Sequence, residues 1–167
     1  MAMKKITFLF SLLVFTTVLN AQNLKALDEK YGFREAIFET PIDSFKNFKE
    51  VQTNFYSSTS ENLSIGDYSF DKVYYAFYKK QLYSVIIKTK GYSNSRGFLS
   101  ILQKAYGNGS QSNEYIEKYY WFGELVTLSY NQNSITDDAT IYFSCKKLSN
   151  LKQAEKKKAD AEASEQL

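Results

Sequence analysis

The sequence predicts an α+β fold: an antiparallel sheet of about six to seven strands with two helices on one face. Three observations carry this. The chain holds 14 Tyr, 13 Phe and one Trp in 167 residues, and aromatic residues favour strands. Pairs of alternating apolar runs are joined by turns too short for a parallel crossover, so their strands run antiparallel. Two segments carry apolar residues at helical spacing.

Taken in order, residues 22–30 are a short polar lead-in with helical character around Leu24, Leu27 and Asp28. Gly32 opens a strand over 33–38. Thr40, Pro41 and Asp43 make a helix start: Thr40 caps, Pro41 is tolerated at the first helical position, and Asp43 completes a capping box. A helix over 41–48 would put Ile42, Phe45 and Phe48 on one side. Residues 51–56 read as a strand and 57–62 as a polar loop. The clearest element is a pair of strands, 70–78 and 82–89, around a turn at Lys79, Lys80 and Gln81. Ser93 or Asn94 then caps a helix whose Phe98, Ile101, Leu102, Ala105 and Tyr106 form one apolar stripe, and Gly107 ends it. A second hairpin, 115–122 with 125–131, turns at Gly123 and Glu124. Asp137 and Asp138 mark a turn before a last strand over 139–145.

Helix 41–48 and helix 94–106 are thus each followed by three strands, a duplicated helix-plus-three-strand unit. The domain is expected over 22–149. Residues 150–167 lack aromatics and alternate Lys, Ala and Glu, so they favour helix by propensity but offer little apolar face beyond Leu151 and Ala154. With Leu148 just before them as the third member of that small stripe, they read as a charged, exposed tail, helical or disordered.

Gly32, Phe33 and Arg34 with Phe38, Thr40 and Pro41, followed by Tyr75, Ala76 and Phe77 and then Leu82, Tyr83, Ser84, Val85 and Ile86, resemble small exported bacterial α+β proteins of unknown function. The layout is also similar to that of the β-lactamase inhibitor proteins, tandem helix-and-sheet repeats that bind enzymes through the sheet. Those repeats carry disulfides, which a chain with one cysteine cannot form internally. The resemblance therefore implies topology and transfers no binding residue.

The chain opens with Lys4 and Lys5, an apolar run over 6–19, and Ala21 before Gln22. Positive charge, apolar stretch and small residue in that order make residues 1–21 a secretory signal peptide. The run is shorter than the roughly 20 residues a membrane-crossing helix needs. Gln22 stands where a lipoprotein would need cysteine. The protein is expected to be periplasmic or extracellular, without a lipid anchor and with no membrane span after cleavage. Losing Lys4 and Lys5 takes the formal charge from +3 to +1, which argues against nucleic acid as a partner.

Histidine is absent and Cys145 is the single cysteine. That removes Ser–His and Cys–His nucleophile pairs, imidazole and thiolate metal sites, and dithiol redox work. No phosphate-cradling glycine loop occurs. No catalytic residue, cofactor or metal is expected. Two acid clusters, Asp137 with Asp138 and Asp67 with Asp71, fit turn chemistry better than acid–base catalysis. Cys145 alternates with Ile141 and Phe143 and reads as a buried thiol.

Period-two alternation sorts the strands into faces. Val73, Tyr75, Phe77, Tyr83, Val85, Ile87, Val126, Leu128, Tyr130, Ile141, Phe143 and Cys145 are expected to meet the helices. Lys72, Tyr74, Tyr78, Ser84, Lys88, Thr127, Ser129, Thr140, Tyr142 and Ser144 are expected outside. The 115–122 strand admits both assignments; with Ile116, Tyr120 and Phe122 inward, Tyr119 and Trp121 face out. Tyrosine and tryptophan give a large apolar area with a polar tip, as interfaces use. The candidate binding residues are Tyr74, Tyr78, Lys72, Lys88, Tyr119, Trp121 and Tyr142. The expected function is a non-enzymatic module binding a protein partner of the cell envelope. A carbohydrate or peptidoglycan-fragment binder is the alternative and requires an exposed Trp121 beside a concave groove. A carboxylate-based hydrolase would require two carboxylates about 5–10 Å apart in one cleft.

When the chain is expressed in a bacterial host, mass spectrometry of the envelope fraction should find a mature protein beginning at Gln22. A full-length chain retaining Lys4 and Lys5 would contradict the export reading.

Overall fold

The computed structural model of the chain describes residues 23–165; the segment 1–21, read as a signal peptide, lies outside them. Along the chain run α1 (Leu24–Lys30), a small hairpin of β1 (Gly32–Phe33) and β2 (Ala36–Ile37), and a 3-10 turn (Ile42–Ser44). Then come β3 (Phe48–Gln52), β4 (Phe55–Ser58), a second small hairpin of β5 (Ser64–Ile65) and β6 (Tyr68–Ser69), β7 (Lys72–Tyr78) and β8 (Gln81–Lys88). The second half is α2 (Gly91–Tyr106), β9 (Lys118–Phe122), β10 (Val126–Gln132), β11 (Ala139–Cys145) and α3 (Lys146–Ser164).

The main sheet has seven strands in the order β3-β4-β7-β8-β11-β10-β9, every neighbouring pair antiparallel. The chain is therefore α+β. Two meanders, one from each half, meet at the centre where β8 pairs with β11. The β7–β8 turn falls where the sequence predicts but is one residue shorter, because Gln81 already belongs to β8 and pairs with Tyr78. Lys79 and Lys80 both take positive φ, 48° and 63°, matching the right-handed twist of the strands they join.

One face of the sheet is buried. Val73, Tyr75 and Phe77 of β7, Leu82, Val85 and Ile87 of β8, and the Ile141, Phe143 and Cys145 alternation of β11 form one core with Leu128 and Tyr130 of β10. Leu27 of α1, Phe33 and Phe38 around the first hairpin, Phe70, and Phe98, Leu99 and Leu102 of α2 close over them. Gly97 is needed on α2 because the Tyr68 ring occupies the space a Cβ would take; this seats the β5–β6 hairpin against the helix. Burial raises the hydroxyl pKa of Tyr75 and Tyr130 well above the ordinary phenol value. Burial and the contacts with Cys145 and Glu39 do the same for Tyr31. Cys145 is buried, with its Sγ 3.3 Å from the Tyr31 hydroxyl.

Three local expectations are corrected. The strand over 33–38 is a hairpin, because Arg34 takes a left-handed φ of 54° and the chain reverses there. The helix over 41–48 is only the 3-10 turn. Pro41 bridges to Gln81 and the Ile42 N–H donates to the Lys80 carbonyl, so the segment is held extended along β8, and Phe45 and Phe48 stack on each other at 4.5 Å. The helix on the core face beside α2 is instead α1, at the lead-in. The strand over 51–56 is two strands, because Asn54 turns at φ 62° with its N–H on the Glu50 carboxylate. The charged tail is helical, one of the two states expected of it: α3 begins directly after β11 and continues to Ser164.

Asp28 ties α1 to the far edge of the sheet. Its carboxylate accepts the backbone N–H groups of Glu124, Leu125 and Val126 at 2.6, 2.9 and 2.9 Å, holding the β9–β10 turn. Hydrogen bonds to a charged group are each worth about 1.5–3 kcal/mol, and losing the acceptor also strands the donors. Asp28→Ala is therefore expected to destabilise the protein by about 2–3 kcal/mol in urea unfolding. An unchanged midpoint would mean that the turn holds itself.

Candidate functional site

Among the described residues, no helix covers the opposite face of the sheet along the central strands. Register across β7, β8, β11, β10 and β9 arranges its side chains in three rows. The first runs Phe55, Ala76, Ser84, Ser144, Thr127, Phe122, with Phe55 contributed by β4. Its middle members are small, so it forms a shallow trough with aromatic ends. The second row is Tyr74, Ile86, Tyr142, Ser129, Tyr120. The third is Lys72, Lys88, Thr140, Asn131, Lys118. Lys88 lies over the Tyr74 ring at 5.9 Å and Lys118 over the Tyr120 ring at 5.6 Å, which locks the basic row against the aromatic one.

A groove of about 600 Å³ opens on this face, lined by Tyr74, Tyr83, Ser84, Ile86, Lys88, Tyr142 and Ser144, with Val51, Gln52 and Phe55 of the edge hairpin as one wall. Tyr142 stands in it 42% exposed. The trough is satisfied internally: Ser84 Oγ donates to the Phe143 carbonyl at 3.0 Å and lies 3.0 Å from Ser144 Oγ. At the end of the basic row is a more polar hollow of about 710 Å³, whose walls include Lys72, Lys88, Lys90, Thr140, Asp71 and Asp138.

The structure brings Lys72, Tyr74, Lys88 and Tyr142 together on one face, as the alternation predicts. It does not do so for Tyr119 and Trp121. Trp121 pairs with Leu128 and Tyr119 with Tyr130, so both point to the core side. Trp121 is 0% exposed, its Nε1 donates to the Gly107 carbonyl at 2.8 Å, and its ring packs under Gly109, where a Cβ would collide with it. The residues facing out on β9 are Tyr120 and Phe122, stacked at 5.6 Å. The signal was Lys118, which alternates with them; Glu117, alternating with Tyr119 and Trp121, obscured it.

Tyr83 is a second correction. A β-bulge lets Ala76 pair with Ser84 and Phe77 with Leu82, so Leu82 takes the core position and Tyr83 joins the outer groove. Alternation alone also places Ile86 outside, between Ser84 and Lys88. The edge residues Val51 and Phe55 had no such signal.

Tyr78 faces out but is engaged. Its hydroxyl donates to Glu155 of α3, and Lys79 pairs with the same carboxylate at 2.5 Å. Those two partners hold the Glu155 carboxyl below its usual range. Lys152 Nζ donates to the Tyr83 hydroxyl at 2.6 Å, and Lys147 pairs with Glu39 at 2.8 Å. Helix α3 thus passes beside the β7–β8 turn at one end of the groove, held by polar contacts, with only Leu148 buried.

The acids considered for catalysis serve turns. Asp138 Oδ1 accepts the Gly91 N–H at 2.9 Å at the start of α2, where Ser93 and Asn94 were the expected caps. Asp137 takes a positive φ of 60° and accepts from Gln132. Asp67 sits in the β5–β6 turn, and Asp71 shares the polar hollow with Asp138. Among the described residues, no group of three or more acidic, His or Cys side chains could hold a metal, and no helix is long and apolar enough to cross a membrane. The chain matches no protein-family model, no curated protein and no solved structure.

Residues 151–165 are exposed throughout, and exposed ion pairs add little to stability. Deleting residues 150–167 should therefore leave the urea midpoint unchanged while freeing Tyr78. A large fall in the midpoint would make α3 part of the core structure.

Proposed function

We propose that this chain is an exported, non-enzymatic binding module that engages a protein partner through the open face of its sheet. The observation that carries the reading is the second row, where Tyr74, Ile86, Tyr142 and Tyr120 stand on four strands with no helix of the described residues over them. Large side chains on a rigid sheet lose little freedom on binding, and tyrosine supplies apolar area with a hydrogen-bonding tip. The similarity of layout to β-lactamase inhibitor proteins, which bind through their sheet, points the same way. Export is supported by the charge and apolar pattern of residues 1–21. The absence of histidine and the burial of the one cysteine support a role without nucleophilic catalysis.

A protein partner is favoured over a glycan. Sugar recognition by stacking needs bare aromatic faces. Trp121 is buried, and the Tyr74 and Tyr120 rings carry Lys88 and Lys118 over them. Tyr83 carries Lys152 over its ring in the same way, so the groove's bare aromatics reduce to Tyr142 and Phe55, which lie apart on two strands.

The test is affinity capture from cell-envelope extract with residues 22–167 as bait. The control bait carries Tyr74→Ser, Tyr120→Ser and Tyr142→Ser, checked by circular dichroism for an unchanged fold. A buried interface tyrosine typically costs about 2 kcal/mol when truncated, roughly thirtyfold in affinity. A partner held by the native bait should therefore be lost from the control. The same proteins on both baits would refute binding through this face.

A further inference from the structure

The open face has a charge character that the chain as a whole lacks. Lysine and arginine nearly balance aspartate and glutamate overall, 21 against 18. Yet the three outer rows contain Lys72, Lys88 and Lys118 and no carboxylate. None of these lysines makes an ion pair among the described residues, whereas Lys79 and Lys147 do. Asp71 and Asp138 line the polar hollow together with Lys72 and Lys88 without pairing with either, and Asp138 already accepts the Gly91 N–H.

Lys72 and Lys88 are, in addition, directly opposite each other on neighbouring strands. Like charges in that position destabilise a sheet. Among the described residues no ion pair offsets that cost and Lys88 has only the Tyr74 ring beneath it, and a local cost left without an ionic partner marks residues kept for something outside the fold. The row beside them is apolar and aromatic, two residues along each strand, or about 7 Å away. Anything lying along the face meets ammonium groups on one flank and Ile86 and Tyr142 on the other.

We propose that the open face recognises an acidic polypeptide segment. It lays carboxylates along Lys72, Lys88 and Lys118 and apolar side chains on Ile86 and Tyr142. This rests on the binding-module reading and names the chemistry of its partner. A polyanionic glycan satisfies the lysines but offers no apolar side chains for Ile86 and Tyr142, so the two-row arrangement favours polypeptide.

The test uses the mature chain, residues 22–167, and a fluorescein-labelled random copolymer of glutamate and tyrosine, read by fluorescence anisotropy at low and at physiological salt. The expected result is salt-sensitive binding, with no binding of a lysine–tyrosine copolymer. Lys72→Gln with Lys88→Gln should weaken binding on the order of tenfold, since the charges act on encounter and on salt dependence. The same double variant should unfold at a higher urea concentration than the native protein, because the opposed like charges are gone. Tyr142→Ser should weaken binding at all salt concentrations. Absence of binding, indifference to the lysine substitutions, or a lowered unfolding midpoint would overturn the proposal. So would equal or tighter binding of polygalacturonate with the same lysine dependence, which would make the ligand an anionic glycan. If envelope capture depends on the tyrosines while the copolymer fails to bind, the binding face stands and only its acidic chemistry falls. If both fail, the face itself is not a binding surface.

Discussion

The pairing of β8 with β11 joins the two meanders, and its register determines which side chains the rest of the molecule can use. Ile87 meets Ile141 and Val85 meets Phe143 on one side; Ile86 meets Tyr142 and Lys88 meets Thr140 on the other. Side chains alternate with a period of two, so a slip of one residue would exchange the faces. It would put Tyr142 into the core and Phe143 into water. The large apolar set on the inner face makes that slip prohibitively costly, and the outer rows inherit their order from it. The bulge at Tyr83 is the one local exception within β8, and it adds an aromatic ring to the outer groove while leaving Leu82 in the core.

Coverage of the sheet is one-sided because the supply of covering elements is small. Helices α1 and α2 and the two small hairpins all pack on the inner face. They are fastened by specific polar contacts: Asp28 on the β9–β10 turn, Asp138 on the first residue of α2, and Tyr31 on Glu39 beside Cys145. Helix α3 could have covered the outer face, but after Leu148 its side chains are charged, alanine or otherwise exposed, so it has no apolar stripe to bury. Beyond Leu148 it passes the end of the groove on ion pairs, hydroxyls and the Lys152 ammonium over the Tyr83 ring. What remains is a rigid, preorganised surface whose side chains are fixed by strands, a better platform for recognition than a mobile loop.

Much of this was legible in the chain. The alternation on β7, β8, β10 and β11 is clean because each of these strands is buried on one side only. The alternation is what locates Lys72, Tyr74, Lys88 and Tyr142. The legible part ended where tertiary contacts overrule local signals. Thr40, Pro41 and Asp43 make a sound helix start, but Pro41 and Ile42 are drawn onto β8, and the aromatic stack of Phe45 on Phe48 keeps the chain extended. Asn54 marks a turn only because its φ is positive, which the residue type permits without requiring. On β9, Glu117 and Lys118 are adjacent, so charge gave no direction; the core's need for the largest apolar side chain, Trp121, decided it. Alternation places Tyr78 outside, but its engagement by a partner 77 residues away, Glu155, has no local signal.

The most direct test of a polypeptide-binding outer face is a map of where contact occurs. Heteronuclear NMR of the labelled mature chain, titrated with the glutamate–tyrosine copolymer, would resolve backbone and side-chain signals on both faces. The account predicts perturbations confined to Tyr74, Ile86, Lys88, Thr140 and Tyr142 and their outer-row neighbours, with Trp121, Leu102 and Phe98 unmoved. Perturbations centred on α1 and α2, or none at all, would contradict it.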